Sequence, residues 1–528
     1  MKTSSLTLRR VVVWALVIAL LATMGLAAAA GVAQAAAPKH KLTVSHCGVT
    51  TTAKACKITV TLKKGKTKVK KATAKLQYWN GAKWVTEKGG TFKVKKGKGS
   101  VSIKNKVVDR RYRVKVGSTV SASFDVAFLP TTFTVRGSGS GHGAGMPQYG
   151  ALAWLRANPG AGYADVLEHY YSGAAVSSAN NNSRTIKVQV LAPSRKTTAL
   201  SLTSGGFTVK DGSGKLLATT KAKKPITIGV KGSNATAKLV RSDGKSATIE
   251  ASRLTISWAS DTTATVAGAA GSYRYGNLQV TVLKNLPNVV NELKMNTEYL
   301  YGVDEMPSSW GRSAEGLQAL KAQAVAARTY TIVQVSRANQ KFGDGNADPA
   351  CDCQVVASTA NINFTGWSKA GGQDNAYWRR AVDETMTATR VEIVRESAAV
   401  DAGIAETTFY AATGKGSGYG TGSNADVFGS TAQPYLGSVL DPYSAMTAPA
   451  SVNAWTRLPT ISQSKAASLF GGPVRSLAVT ERYPGGLVKT ITATGVNGEK
   501  RSRTMVATSW MDTLQMQSAW IETSIKGK

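Results

Sequence analysis

Two side chains in this sequence stand where chemistry could be done. Glu305 lies between a strand-like run and Pro307, at the entrance to a long helical stretch. A carboxylate there is held by backbone rather than by a flexible surface turn. Met306 and Trp310 would give it an apolar surround, and removal from water raises a carboxyl pKa. A carboxyl that keeps its proton near neutral pH can act as a general acid. The alternative is a helix-start carboxylate favoured by the macrodipole alone. The second side chain is His142, set among Gly137, Gly139, Gly141, Gly143 and Gly145. So many glycines mean a tightly turned, closely approached backbone. The imidazole could donate to a sugar or a carboxylate; the alternative is a turn histidine bonded to local backbone.

Two cations come next. Lys321 and Arg328 are seven apart on the helical stretch and so share one face. Ala322, Ala324, Ala326 and Ala327 surround them with small side chains that let another chain approach. The pair could receive an anionic sugar, or it could be a solvated face or an internal ion pair. Asp304 points away from Glu305 in any regular backbone and is not counted as a second acid.

The elements that must position these groups are mostly strands. The longest helical signal runs from about Ala314 to Ala338, with shorter ones from Ala151 to Ala157 and from Tyr163 to Tyr171. Short strands with Gly-Ser turns fill 185–285, and strands alternate with Gly-rich loops to about Tyr443. Residues 39–128 form a separate block, in which 23 Lys or Arg face only Glu87, Asp109 and Asp125. Alternation such as Lys57-Ile58-Thr59-Val60-Thr61-Leu62 predicts strands, and their spacing predicts a small β-sandwich. The run LQYWNGAKWVTEKGG (76–90) is similar to the cross-strand signature of bacterial immunoglobulin-like wall modules. The expected class is α+β and strand-rich: an immunoglobulin-like N-terminal sandwich, then a mixed domain with one long Ala-rich helix.

The start of the chain addresses it outward. Lys2, Arg9 and Arg10 precede an apolar run from Val11 to Ala30, which ends in small residues with Ala33-Gln34-Ala35. That is the layout of a secretory signal peptide over 1–36. The alternative is an uncleaved anchor on the outer face of the membrane, since the run approaches the roughly 20 residues needed to span. Without those three cations the chain keeps 63 basic against 30 acidic residues. Such a field attracts polyanions. Outside the membrane these are anionic wall polymers, the alternative being a solvated basic surface with no partner, and export argues against nucleic acid. The four cysteines allow three pairings. Cys47 and Cys56, close together in one strand-rich segment of an exported chain, are the expected pair.

Three runs, NVVNELKM (288–295), YLYGVDEMPSSW (299–310) and ALKAQAVAARTYTI (319–332), resemble the core signature of the SpoIID/LytB family, that of sporulation stage II protein D and the amidase enhancer. Ala381-Val382-Asp383-Glu384-Thr385, Phe409-Tyr410, Asp426-Val427-Phe428-Gly429 and Pro434-Tyr435-Leu436 follow in the family's order. The resemblance spans roughly 185–525. GSGSGHGAGMPQYGA (137–151) looks like the family's Gly-His-Gly-x-Gly-Met-Ser-Gln motif, with Pro147 in place of Ser. The family usually carries this motif at the end of the domain, after a segment like TLQMQSAWIE (513–522). Here it comes first, so the domain, 131–528, reads as circularly permuted: 131–173 the displaced segment, 185–526 the core. Permutation requires the two ends to meet in space.

The resemblance implies a protein of the peptidoglycan wall, secreted or held there. SpoIID-type members are lytic transglycosylases acting on glycan strands stripped of peptides, whereas LytB-type members enhance a wall amidase. It gives Glu305 the acid/base role and makes Lys321, Arg328, His142 and Gln148 candidate substrate contacts. One carboxyl suffices, unlike the pair a hydrolase needs. It protonates the glycosidic oxygen, then takes the proton of the sugar's own 6-hydroxyl as that oxygen closes on C1 to give a 1,6-anhydro product. The competing reading is a non-catalytic peptidoglycan-binding protein or amidase enhancer. The sequence departs from the family in two ways: about five more residues separate Glu305 from Arg328 than in sporulation members, and Thr413-Gly414-Lys415-Gly416 stands where Ser-Gly-Gly is common. Some relatives bind zinc. Cys351 and Cys353 have no nearby His and supply half of a four-ligand site, so no metal and no cofactor is assigned.

Overall fold

The computed structural model describes residues 40–104, 109–177, 184–343, 345–386, 390–393 and 403–528. The signal-peptide reading of 1–36 lies outside the described residues. The chain divides into two compact units.

The first unit contains residues 40–47, 56–103 and 110–125. Its strands share one antiparallel hydrogen-bonded order: His40–Ser45, Cys56–Lys64, Lys98–Ile103, Trp84–Lys95, Lys71–Trp79, Arg110–Val116. The two separate sheets of a sandwich are not evident in that order. The period-two pattern does hold. Ile58, Val60, Leu62, Ala74, Leu76, Val94, Tyr112 and Val114 are buried, while the lysines and threonines between them face out. Cys47 is disulfide-bonded to Cys56.

The second unit takes up most of the chain. A seven-stranded sheet runs Leu216–Thr219, Thr208–Asp211, Leu254–Ser257, Asn277–Leu283, Leu286–Lys294, Thr185–Leu191, Val355–Val356. Five helices matter for the site: α1 (Gln148–Ala157), α2 (Tyr163–Tyr170), α3 (Ala314–Phe342), α4 (Trp367–Ala370) and α5 (Asn375–Glu384). The 29 residues of α3 exceed the expected span by one turn. Ser313 caps its start by accepting from the Gly316 N–H, and Gly343 follows its end at φ +93°. Alanine on every side of α3 lets neighbours pack all round it, so most of the helix lies inside a core shared with Leu152, Val166, Val188 and Tyr299. A second core, around Trp455, Trp510 and Trp520, gathers the C-terminal strands and helices.

The glycine-rich run connects these two cores. Gly137–Ser138 pairs antiparallel with Trp520–Ile521, and Met146–Pro147 pairs parallel with Phe409–Tyr410. Between them Gly139, Gly141, Gly143 and Gly145 all adopt positive φ. Gly145 is the tightest point: at φ +76° a Cβ would lie 1.9 Å from the Thr408 carbonyl oxygen. Gly145→Ala meets both the left-handed penalty and that collision, and should cost about 3 kcal/mol. Urea denaturation checks this; an unshifted midpoint would mean the run is slack.

Candidate active site

Glu305 follows a helical turn at Met295–Tyr299 and precedes a 3₁₀ turn at Ser308–Arg312. Its backbone is held against the segment 361–365. Val303 bridges to Phe364, the Asp304 N–H donates to the Asn363 carbonyl at 2.7 Å, and Asn363 Nδ2 donates back to the Asp304 carbonyl at 2.5 Å. The Asn363 N–H then donates to Glu305 Oε1 at 2.7 Å. The other oxygen, Oε2, meets Gln148 Nε2 at 3.3 Å. Gln148 is the first residue of α1, so the glycine run delivers it to the carboxyl.

Asp304 turns to the side. Its carboxylate pairs with Lys369 of α4 at 3.1 Å and accepts from Thr365 Oγ1 at 3.2 Å. Lys369 is buried, its ammonium also donating to the Met306 carbonyl at 2.5 Å. Burial raises the Glu305 pKa. The Asn363 and Gln148 donors and the Lys369 charge act the other way, and the Asp304 charge adds to the rise; desolvation is the largest of these effects. Met306 is buried and Trp310 half-buried against the same core. Trp310 meets Tyr149, the neighbour of Gln148, edge to face at 5.1 Å.

Gln323 completes the group. It is fully buried on α3, and its Oε1 lies 3.4 Å from Gln148 Nε2, while its own Nε2 has no partner among the described residues. A buried N–H without an acceptor is costly. Turning both amides over exchanges donors for acceptors at the same positions. Gln148 Oε1 would then accept both from Gln323 Nε2 and from a proton on Glu305 Oε2. The amide pair can therefore serve either protonation state of the carboxyl by turning over in place. Sequence reading missed Gln323, Asn363 and Lys369. Gln323 lies inside the run 319–332, but a neutral side chain carried no signal; the other two are far from Glu305 in sequence.

Three expected contacts have other positions. Arg328 is wholly buried, not on an open face. Its guanidinium donates to Asn296 Oδ1 at 3.0 Å and to the Thr385 and Val382 carbonyls at 2.8 and 3.3 Å, closing the C-terminal end of α5. Carbonyls at a helix C-terminus attract a cation. Burial lowers its pKa to about 10, which leaves it charged at neutral pH. Lys321 is ion-paired with Glu384 of α5 at 2.5 Å, the internal pair that was the other reading of this face. His142 uses both ring nitrogens on backbone: Nε2 lies 2.9 Å from the Phe409 carbonyl oxygen, and Nδ1 accepts from the Ala144 N–H at 3.1 Å. It is thus the backbone-bonded turn histidine, protonated on Nε2. Cys351 and Cys353 are bonded to each other.

Two outcomes follow. Arg328→Met would orphan the carbonyls at the end of α5 and should cost about 3 kcal/mol; a variant as stable as the parent would return Arg328 to the list of surface contacts. His142 is held near pKa 4 by burial, below its ordinary value. The unfolded chain therefore takes the proton first. This residue's contribution to stability is complete above about pH 6.5 and falls as the pH drops from there towards 4. Nitrogen-15 NMR should find the Nε2–H tautomer still neutral at pH 5.5, and a charged ring there would contradict the assignment.

Comparison with known proteins bears on the same segment. Residues 284–391 match SpoIID, described as stage II sporulation protein. Over 68 residues the chain is 43% identical to the amidase enhancer of Bacillus subtilis (strain 168), a stretch covering 12% of this chain and 9% of that protein. Among solved structures, the crystal structure of Salmonella alpha-2-macroglobulin mutant Y1175G aligns with 49% of this chain and 16% of its own, at 7% identity and a TM-score of 0.14, a likeness too slight to describe a shared fold. The matched residues 284–391 contain Glu305, Gln323, Asn363 and Lys369 together, and it is this segment that is similar to the SpoIID/LytB family.

Proposed function

We propose that the chain is an exported peptidoglycan-acting protein whose larger unit cleaves wall glycan strands as a lytic transglycosylase, with Glu305 as general acid and then base. The observation that carries this reading is a single desolvated carboxyl, held at both oxygens by neutral donors. A raised pKa keeps the proton available for the glycosidic oxygen. After cleavage the carboxylate can accept the proton of the 6-hydroxyl, and the Gln148–Gln323 amides can follow that change by turning over. Asp304 is tied to Lys369 and Thr365, which fits a reaction needing one carboxyl rather than two. The rings of Tyr149 and Trp310, one beside Gln148 and one beyond Glu305, offer faces for sugars. On this reading His142 supports the loop that presents Gln148. The permuted order of the domain belongs to the same proposal. The contacts of Gly137–Ser138 with Trp520–Ile521, and of Gln148 with Glu305, are what a displaced motif needs to return to its place.

The second reading is an amidase enhancer that binds glycan without cutting it, favoured by the identity with the Bacillus subtilis protein of that name. Purified chain incubated with peptide-free glycan strands separates the two. Release of 1,6-anhydro products supports cleavage, and intact glycan supports the enhancer. Glu305→Gln keeps shape and removes the proton, so cleavage should drop by about 10²-fold or more with folding intact. Activity should fall as the pH rises through the elevated pKa of Glu305, since the protonated form starts the reaction. An active Glu305→Gln variant would refute this assignment.

A further inference from the structure

The outward face of the first unit is a cation ladder ending in an aromatic corner. The strand register sets Lys71 opposite Lys95, Thr73 opposite Lys93, Lys75 opposite Lys115, and Gln77 opposite Arg113. Lys71, Lys75, Lys93, Lys95 and Lys115 are all exposed, and the residues alternating with them, Ala74, Leu76, Val94 and Val114, are buried. The unit's carboxylates are engaged elsewhere: Glu87 with Arg110 and the Tyr112 hydroxyl, Asp125 with Arg111. Like charges directly opposite one another weaken a sheet. Lys71 against Lys95 and Lys75 against Lys115 each carry that cost, which a bound polyanion would remove. Neighbouring strands lie about 4.8 Å apart and alternate residues about 6.8 Å apart, so the five ammonium groups cover roughly 10 by 14 Å.

At the end of the ladder stand two tryptophans. Trp79, 41% exposed, pairs with Trp84 across the strands, their rings 5.5 Å apart. The Arg113 guanidinium lies 4.4 Å from the Trp84 ring centre and donates to Gln77 Oε1 at 3.0 Å. Gln77 and Arg113 thus brace the corner, and Trp79 keeps a free face. An exposed aromatic face accepts the C–H edge of a sugar.

We infer that this face binds a phosphate-bearing polysaccharide, with phosphates along the lysine ladder and a sugar ring on Trp79. Lysine ammonium binds phosphate as a point charge, free of the fixed bidentate geometry that arginine imposes on carboxylate and phosphate alike, and so suits phosphates spaced along a flexible polymer. Single-stranded nucleic acid stacks successive bases on aromatics spread along a basic groove. Here the aromatics sit at one end, and threonines rather than rings alternate with the lysines. The inference does not rest on Glu305, and Glu305→Gln should bind as the parent does.

The test is calorimetric titration of the full chain with poly(glycerol phosphate) carrying glucose substituents. Comparison arms are inorganic polyphosphate, hyaluronate, neutral dextran and single-stranded DNA of equal charge. The glucosylated polymer should bind tightest, and its affinity should fall with salt. The triple variant Lys75→Gln, Lys93→Gln, Lys115→Gln should lose about tenfold or more in affinity and flatten the salt dependence by about two to three in log–log slope. Trp79→Ala should weaken the glucosylated polymer about fivefold and leave polyphosphate unchanged. All four side chains are exposed or partly so, and unchanged melting will certify the fold. Parent-like binding by the triple variant, an intact glucose preference in Trp79→Ala, or DNA or hyaluronate binding as tightly as the glucosylated polymer would each overturn the inference.

Discussion

One half-buried carboxyl, largely withdrawn from water, is the constraint on the larger unit. Glu305 takes its hydrogen-bond partners from beyond its own neighbours in sequence. It is enclosed by Asn363 from one side, Gln148 from another and Gln323 behind, contributed by three segments that meet only in the folded chain. Each supplies an uncharged amide. A lysine or arginine touching Glu305 directly would favour the carboxylate and lower its pKa. The nearest cation, Lys369, is instead bound to Asp304 and to the Met306 carbonyl, so that its charge is largely answered before it reaches Glu305.

Buried cations nonetheless hold the frame. Arg328 joins three elements at once: α3, on which it sits; the turn of Asn296; and the end of α5. Lys369 does the same for α4 and the segment carrying Asp304 and Met306. Charges withdrawn from water persist only when their hydrogen-bonding capacity is filled. Both cations bond to backbone carbonyls, whose positions vary little once the helices and turns have formed. They therefore fix geometry near Glu305 without adding a mobile charge to it.

Some of this was legible in the sequence and some was not. The alanine-rich run identified α3, and Ser313 with Gly343 marks its ends. Glu305 could be singled out because a carboxylate before a proline and a long helix is held by backbone. The shared face of Lys321 and Arg328 was read correctly as a helical spacing, but spacing does not say whether a face is wet. The alanine-lined middle of the helix is packed all round, so Arg328 had to find partners inside, whereas Arg337 near the end is exposed and pairs with Glu406. Alternation identified the strands of the first unit. Their single continuous order depends on pairing between distant segments, which the alternation of any one strand does not encode. Asn363 and Gln323 left no mark because neutral amides are common in loops and helices, and only the fold distinguishes these two.

The glycine run is what brings Gln148 to Glu305. The space between Trp520, Tyr410 and Thr408 admits a backbone but no side chains: a Cβ at Gly139, Gly141, Gly143 or Gly145 would each time lie under 3.0 Å from a neighbouring atom. Such a strip gains little from its own packing, and glycine costs more backbone entropy than any other residue. It is secured instead at fixed points, by Trp520–Ile521 at one end, by the two ring nitrogens of His142 in the middle, and by Phe409–Tyr410 at the other. A strip pinned in this way has one exit direction, and α1 begins there with Gln148 facing Glu305. The pins are contacts in space, and they set where the strip delivers its amide to Glu305 Oε2.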